Sequence, residues 1–131
     1  MIGLDTNVLV RYITLDDPVQ AARAAQIIER QLTLDKPGFV SLVTMVEVAW
    51  VLESFYEFSD EQIAAAIERM LQTPALSVQN EREVFTAMIA LRNNTTSFSD
   101  ALIGALGAWA GCSSTLTFDR KTARLKEFQL A

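Results

Sequence analysis

Four carboxylates stand in surroundings that carboxylates usually avoid. Asp5 directly follows the apolar run Met1-Ile2-Gly3-Leu4, and Asp119 directly follows Ser114-Thr115-Leu116-Thr117-Phe118. Glu47 lies inside Val43-Thr44-Met45-Val46-Glu47-Val48-Ala49-Trp50-Val51-Leu52, and Asp100 opens Asp100-Ala101-Leu102-Ile103-Gly104-Ala105-Leu106-Gly107-Ala108-Trp109. Gathered at one place, such groups would repel one another and raise each other's pKa. A divalent cation removes that penalty, and an all-oxygen ligand set selects Mg²⁺ or Mn²⁺ over zinc. A site of that kind activates a water and neutralises charge on a phosphodiester. Each acid also has a plainer reading. An Asp after a strand caps the next helix, an Asp in a first helical turn favours the dipole, and a Glu at a helix edge reaches water. For Glu47, Val43, Trp50 and Val51 share its helical face, and no basic residue lies between Lys36 and Arg69. That predicts a carboxylate either buried at a cost or held against a remote positive charge.

Composition narrows the chemistry further. The 131 residues contain no histidine, which removes Ser-His-Asp and Cys-His nucleophilic sites and His-ligated zinc. The single cysteine, Cys112, closes no internal disulfide, and its apolar neighbours predict a core residue. Half the residues are hydrophobic and 21% are charged, the balance of an ordinary folded domain, read as one domain over residues 1–131. No basic-then-apolar leader and no run of eighteen apolar residues is present, so the expectation is a cytoplasmic protein with no membrane role. The net charge is −5, unevenly spread: residues 1–119 carry −8, and residues 120–131 carry +3. Arg120, Lys121 and Arg124 are thus candidates for contacting a phosphate backbone, against the alternative of a solvated basic helix.

The elements that must position these groups follow from caps and periodicity. Strands are predicted near residues 2–4, 39–42, 75–78, 114–118 and 128–130. Helices are predicted after Asp5 through Ile13, from a capping box at Asp17 and Gln20 to Leu32, over residues 44–55, and from a second box at Ser59 and Gln62 to Pro74. Two more follow: one opened by Asn80 and Glu83 with Val84, Phe85, Met88 and Ile89 on one face, and one capped by Ser97 or Ser99 and running to Ala110. A short basic helix precedes the last strand. Gly104, Gly107, Ala108 and Gly111 form a small-residue face suited to close packing on a sheet. Phe55, Tyr56 and Phe58 are read as core, with an interface as the other use. Short apolar strands separated by helices imply a parallel sheet of about four to five strands in a three-layer α/β/α arrangement. Sites in such sheets lie beyond the carboxyl ends of the strands, where Asp5 and Asp119 fall.

In four blocks the chain resembles the PIN-domain ribonucleases, and among them the VapC toxins of type II toxin–antitoxin pairs. The blocks are Leu4-Asp5-Thr6-Asn7-Val8-Leu9-Val10-Arg11-Tyr12, Ser41 through Glu47, Phe98-Ser99-Asp100-Ala101-Leu102-Ile103, and Thr115-Leu116-Thr117-Phe118-Asp119-Arg120. The resemblance implies a PIN-like fold with Asp5, Glu47, Asp100 and Asp119 as catalytic metal ligands. Thr6, Asn7, Ser41 and Thr117 are expected to support them. It implies a Mg²⁺- or Mn²⁺-dependent endoribonuclease that cuts a structured RNA such as tRNA or rRNA and so stops translation. It also implies a homodimer and a VapB-like antitoxin that inserts a basic side chain among the carboxylates. The chain departs from the pattern at Lys121, where many relatives carry a further acid, which bears on a second metal.

Three other readings are distinguishable. A receiver-type phosphoacceptor domain needs an acidic pair right after the first strand, but Asp16-Asp17 comes too late and no Asp lies between Asp35 and Asp60. A PIN domain kept only as a binding module would have lost an acid, and all four are present. A PIN nuclease for RNA processing outside a toxin pair has the same residues, and genomic neighbours separate the two.

Overall fold

Strong local caps and short apolar runs set the element order in the computed structural model, which describes residues 1–131. The order is β1 (Ile2–Gly3), α1 (Thr6–Thr14), α2 (Pro18–Gln26), a π-helical turn (Ile27–Gln31), β2 (Gly38–Val40), α3 (Leu42–Tyr56), α4 (Asp60–Leu71) and β3 (Leu76–Val78). Then come α5 (Glu81–Arg92), α6 (Phe98–Trp109), β4 (Thr115–Thr117), a 3₁₀ turn (Thr122–Arg124) and β5 (Phe128–Leu130). Six helices and short strands, all paired in parallel, make the mixed α/β class expected from the sequence. No helix is long and apolar enough to cross a membrane.

The chain divides into two compact units. In the first, Met1–Glu81, the strand order is β1-β2-β3, with Gly38 of β2 opposite both Ile2 and Leu76. Its core is built from Leu9, Val10, Val40, Met45, Val48, Leu52 and Ile67, as α1 packs on α2 and α3, and α3 on α4. In the second unit, Arg82–Ala131, β4 and β5 pair with Thr115 opposite Phe128, and α6 packs on β4. The α6 glycines make that packing possible. A Cβ at Gly104 would collide with the Phe128 ring, and one at Gly107 with the Thr115 hydroxyl. Gly111, at φ +96, lies beyond the helix where a Cβ would meet open space, and Ala108 is exposed, so the small-residue face is narrower than predicted.

Local chemistry explains where elements differ from expectation. Ser41 ends β2 and caps α3 by accepting from Thr44 N, so α3 begins two residues early. Asp17 caps α2 by accepting from Gln20 N, but the box stays open because Gln20 Oε1 accepts from Arg11 Nε at 2.7 Å. The Ser59–Gln62 box is complete. On α5 the buried residues are Val84, Ala87, Met88 and Leu91, leaving Phe85 and Ile89 exposed. The basic C-terminal helix shrinks to one 3₁₀ turn, since Leu125 already has extended backbone leading into β5. Cys112 is exposed, because α6 ends at Trp109 and the following turn carries Cys112 off the helix. Phe55 is also exposed, with Trp50 edge-on to its ring, and Tyr56 is half-buried in a polar network instead of the core.

Candidate functional site

One threonine organises the acids of the first unit. Asp5 caps α1, and its Oδ1 accepts the backbone N–H of Thr6 at 2.8 Å. Thr6 is buried, at 4% exposure, and its hydroxyl donates to Glu47 Oε1 at 2.5 Å. Two carboxylates from distant stretches of chain, one at the β1–α1 junction and one in the middle of α3, are thus tied to the same residue. Glu47 itself is exposed, as are Val43 at 76% and Trp50 at 57% on the same helical face. The expected burial or pairing with a cation is therefore replaced by a hydroxyl donor and access to water. The apolar α3 sequence hides this, because its buried side is the other one, Met45, Val48, Ala49 and Leu52.

The far end of α1 is fixed to α3 by a second network. Arg11 Nη1 donates to Tyr56 Oη at 2.9 Å and lies 3.1 Å from Asp16 Oδ1, while Tyr56 Oη donates to Asp16 Oδ2 at 2.6 Å. The Tyr56 hydrogen bond, helped by Thr14 and Arg11, holds the Asp16 carboxyl below the usual carboxylate range. Arg69 sits over the Tyr12 ring, 5.1 Å from its centroid, adding a cation–π contact between α4 and α1. Of the other expected supporting residues, Ser41 serves as the α3 cap. Asn7 is exposed and lines a groove of about 350 Å³ between α1 and α2, floored by Val8, Ala24 and Ile27 and edged by Arg11 and Arg23.

In the second unit, Asp119 follows β4 and turns the chain. Its Oδ1 accepts from Lys121 N at 2.8 Å and Thr122 N at 3.3 Å, and its own N–H donates to Thr117 Oγ1 at 3.1 Å. The N–H groups of Thr122 and Lys121 hold its carboxyl below the ordinary range. Asp100 is the third residue of α6, half-exposed, with its N–H donated to the capping Ser97 hydroxyl at 3.2 Å. The two regions are joined by a buried hydroxyl pair, Thr96 Oγ1 and Thr122 Oγ1, 2.9 Å apart. This pair ties the residue before the α6 cap to the turn that Asp119 caps. Sequence reasoning missed Thr96 and Thr122, as it missed Tyr56. The available signal was a threonine within four residues of each Asp. Arg120, Lys121 and Arg124 are all exposed.

Within either unit, no three acidic or cysteine side chains are already arranged to hold a metal ion. The donor chemistry nevertheless suits a hard cation. Asp5 and Glu47 each commit one oxygen to Thr6, and within their unit neither is paired with a Lys or Arg. Oxygen-only carboxylate donors of this kind are those Mg²⁺ and Mn²⁺ prefer.

No curated protein and no solved structure matches the chain. The PIN domain family matches residues 2–127, a span that takes in most of each unit and stops short of β5, and PIN domains are generally metal-dependent nucleases. With six helices and short parallel strands consistent with a three-layer α/β/α PIN fold, the chain belongs to the PIN domain family.

Proposed function

We propose that this protein is a divalent-metal-dependent endoribonuclease, a VapC-type toxin in which residues 1–131 act as a single PIN domain. The observation that carries the reading is the double donation by Thr6. A buried residue that orients Asp5 and Glu47 together, with neutral donors, is what a carboxylate metal site requires. Asp5, Glu47, Asp100 and Asp119 would hold Mg²⁺ or Mn²⁺. When bound, the cation supplies activation of water and neutralisation of charge on the phosphodiester. Thr6 aims Glu47, Thr117 and the turn N–H groups fix Asp119, and Asn7 and Ser41 support their two helix starts. Arg120, Lys121 and Arg124 engage RNA phosphates. In the cytoplasm, the enzyme works as a homodimer on structured RNA such as tRNA or rRNA, and a VapB-like antitoxin with a basic side chain occupies the acidic site.

Incubation of the purified protein with total RNA tests this. Cleavage is expected with Mn²⁺ or Mg²⁺, none with EDTA, and products with 5′-phosphate and 3′-hydroxyl ends, because water is the nucleophile. Cleavage in EDTA, or 2′,3′-cyclic phosphate products, would overturn the assignment.

A further inference from the structure

Phe118 is the most open large apolar side chain in the protein, 89% exposed. It immediately precedes Asp119. Leu116, two residues earlier and in the middle of β4, is 66% exposed. Thr115, on the alternate side, is the residue that approaches Gly107 of α6. Leu116 therefore lies on the β4 face turned away from α6, and Phe118 follows in the bend just past the strand's end. The residues on either side of Phe118 are anchored: Ala131 N donates to the Thr117 carbonyl at 2.8 Å, and Asp119 N donates to Thr117 Oγ1. Arg120, Lys121, Arg124 and Lys126, all exposed, follow within eight residues, in a C-terminal stretch of net charge +3 on a chain whose first 119 residues carry −8. An open aromatic ring between anchored neighbours, followed by cations, suits a polyanion that carries flat apolar groups, which is the chemistry of a single-stranded nucleic acid.

We infer that Phe118 is a base-stacking platform for single-stranded RNA, receiving the base beside the phosphate nearest Asp119. The inference rests on the ribonuclease reading and names the segment that reading would bind: an unpaired loop or end, gripped by its phosphates through Arg120, Lys121 and Arg124. Stacking and charge act separately, so they leave different signatures.

Fluorescence anisotropy with a labelled single-stranded RNA of roughly ten nucleotides separates them, in EDTA to prevent cleavage and over a range of salt. Phe118→Leu should weaken binding about tenfold with the salt slope unchanged, and Phe118→Trp should restore it, since stacking needs only an aromatic face. Replacing Arg120, Lys121 and Arg124 with Gln should lower the slope by roughly two to three units. A matching abasic RNA should bind wild type and Phe118→Leu alike. If wild type binds and cuts RNA while Phe118→Leu binds within about twofold of it, stacking is refuted and the ring is a contact for protein. If wild type binds no RNA at any salt, the ribonuclease reading itself falls, and the stacking inference with it.

Discussion

The hydrogen bond from Thr6 to Glu47 has a measurable energy. Thr6→Val removes the donor while keeping the branched shape of a side chain that is 4% exposed, so it opens no cavity. A hydrogen bond to a charged partner contributes about 1.5–3 kcal/mol when secluded. Glu47 is exposed, so water takes over part of its solvation and the contribution falls to the lower end of that range or just under it. We expect Thr6→Val to cost about 1–1.5 kcal/mol, a fall in melting temperature of about 3–5 °C for a chain of this size. Because single substitutions mix this bond with other effects, a double-mutant cycle with Glu47→Ala isolates it. Urea unfolding at pH 7 in EDTA should give a coupling energy near ~1 kcal/mol. The same variants titrated with Mn²⁺ then test positioning. A partner that orients a ligand without touching the metal changes affinity by about 10–100-fold, and Thr6→Val should weaken Mn²⁺ binding on that scale. A coupling below ~0.3 kcal/mol would mean the bond is not formed in solution. Full coupling with unchanged Mn²⁺ affinity would make Thr6 a structural tie only.

The carboxylate reading predicts that Asp100→Asn, which removes charge but keeps shape, raises the melting temperature in EDTA and abolishes cleavage. It should also erase the stabilisation by Mn²⁺, which for wild type at a hundredfold excess over Kd is about 2.7 kcal/mol; a mutant stabilised normally by Mn²⁺ would remove Asp100 from the site. Asp16 has a lowered folded pKa, caused first by Tyr56, so its contribution is complete above the unfolded value near ~3.9 and is lost as pH falls through the folded value. Tyr56→Phe should therefore be less stable than wild type at pH 7, and chemical unfolding should show the gap narrowing below about pH 4; a gap constant down to acid pH would refute the linkage. Gly104→Ala drives a methyl into the Phe128 ring, and overpacking should outweigh the helix-propensity gain by about 1–2 kcal/mol. A more stable Gly104→Ala would show that β5 yields easily.

Features made by neighbours in sequence were legible, and features made across the fold were not. Ser59, Ser97 and Asp17 could be read as caps because a cap needs only an oxygen three residues before a free N–H. The Asp17–Gln20 box failed because Arg11, outside the local window, took the Gln20 oxygen. The four acids could be singled out by their company, yet their fixation could not. Glu47 depends on a hydroxyl 41 residues away, and Asp119 on a turn braced by Thr96, 26 residues from Thr122. The α3 face was misread for a different reason. A helix apolar on nearly every side has no stripe to follow, so pattern cannot say that Trp50 and Phe55 face solvent while Met45 and Leu52 do not. Cys112 shows the same limit at a helix end, where one turn beyond Trp109 reverses burial.

The donors that hold the acids divide them into two kinds. Asp16 is met by the Arg11 guanidinium as well as Tyr56, and an ion pair of that sort leaves little net charge to offer a ligand. Asp5 and Glu47 are oriented by an N–H and a hydroxyl of Thr6, and Asp119 chiefly by two backbone N–H groups. Neutral donors fix direction without cancelling charge. A guanidinium in the same place would orient the carboxylate equally well, but any incoming cation would then have to displace it or bind against its repulsion. Neutral anchoring also keeps Asp119 ionised into the acid range, so no proton needs to leave before a cation can bind there. An acidic chain that spends a guanidinium on Asp16, and chiefly N–H and O–H donors on Asp5, Glu47 and Asp119, keeps its charge available at the positions proposed to hold the cation.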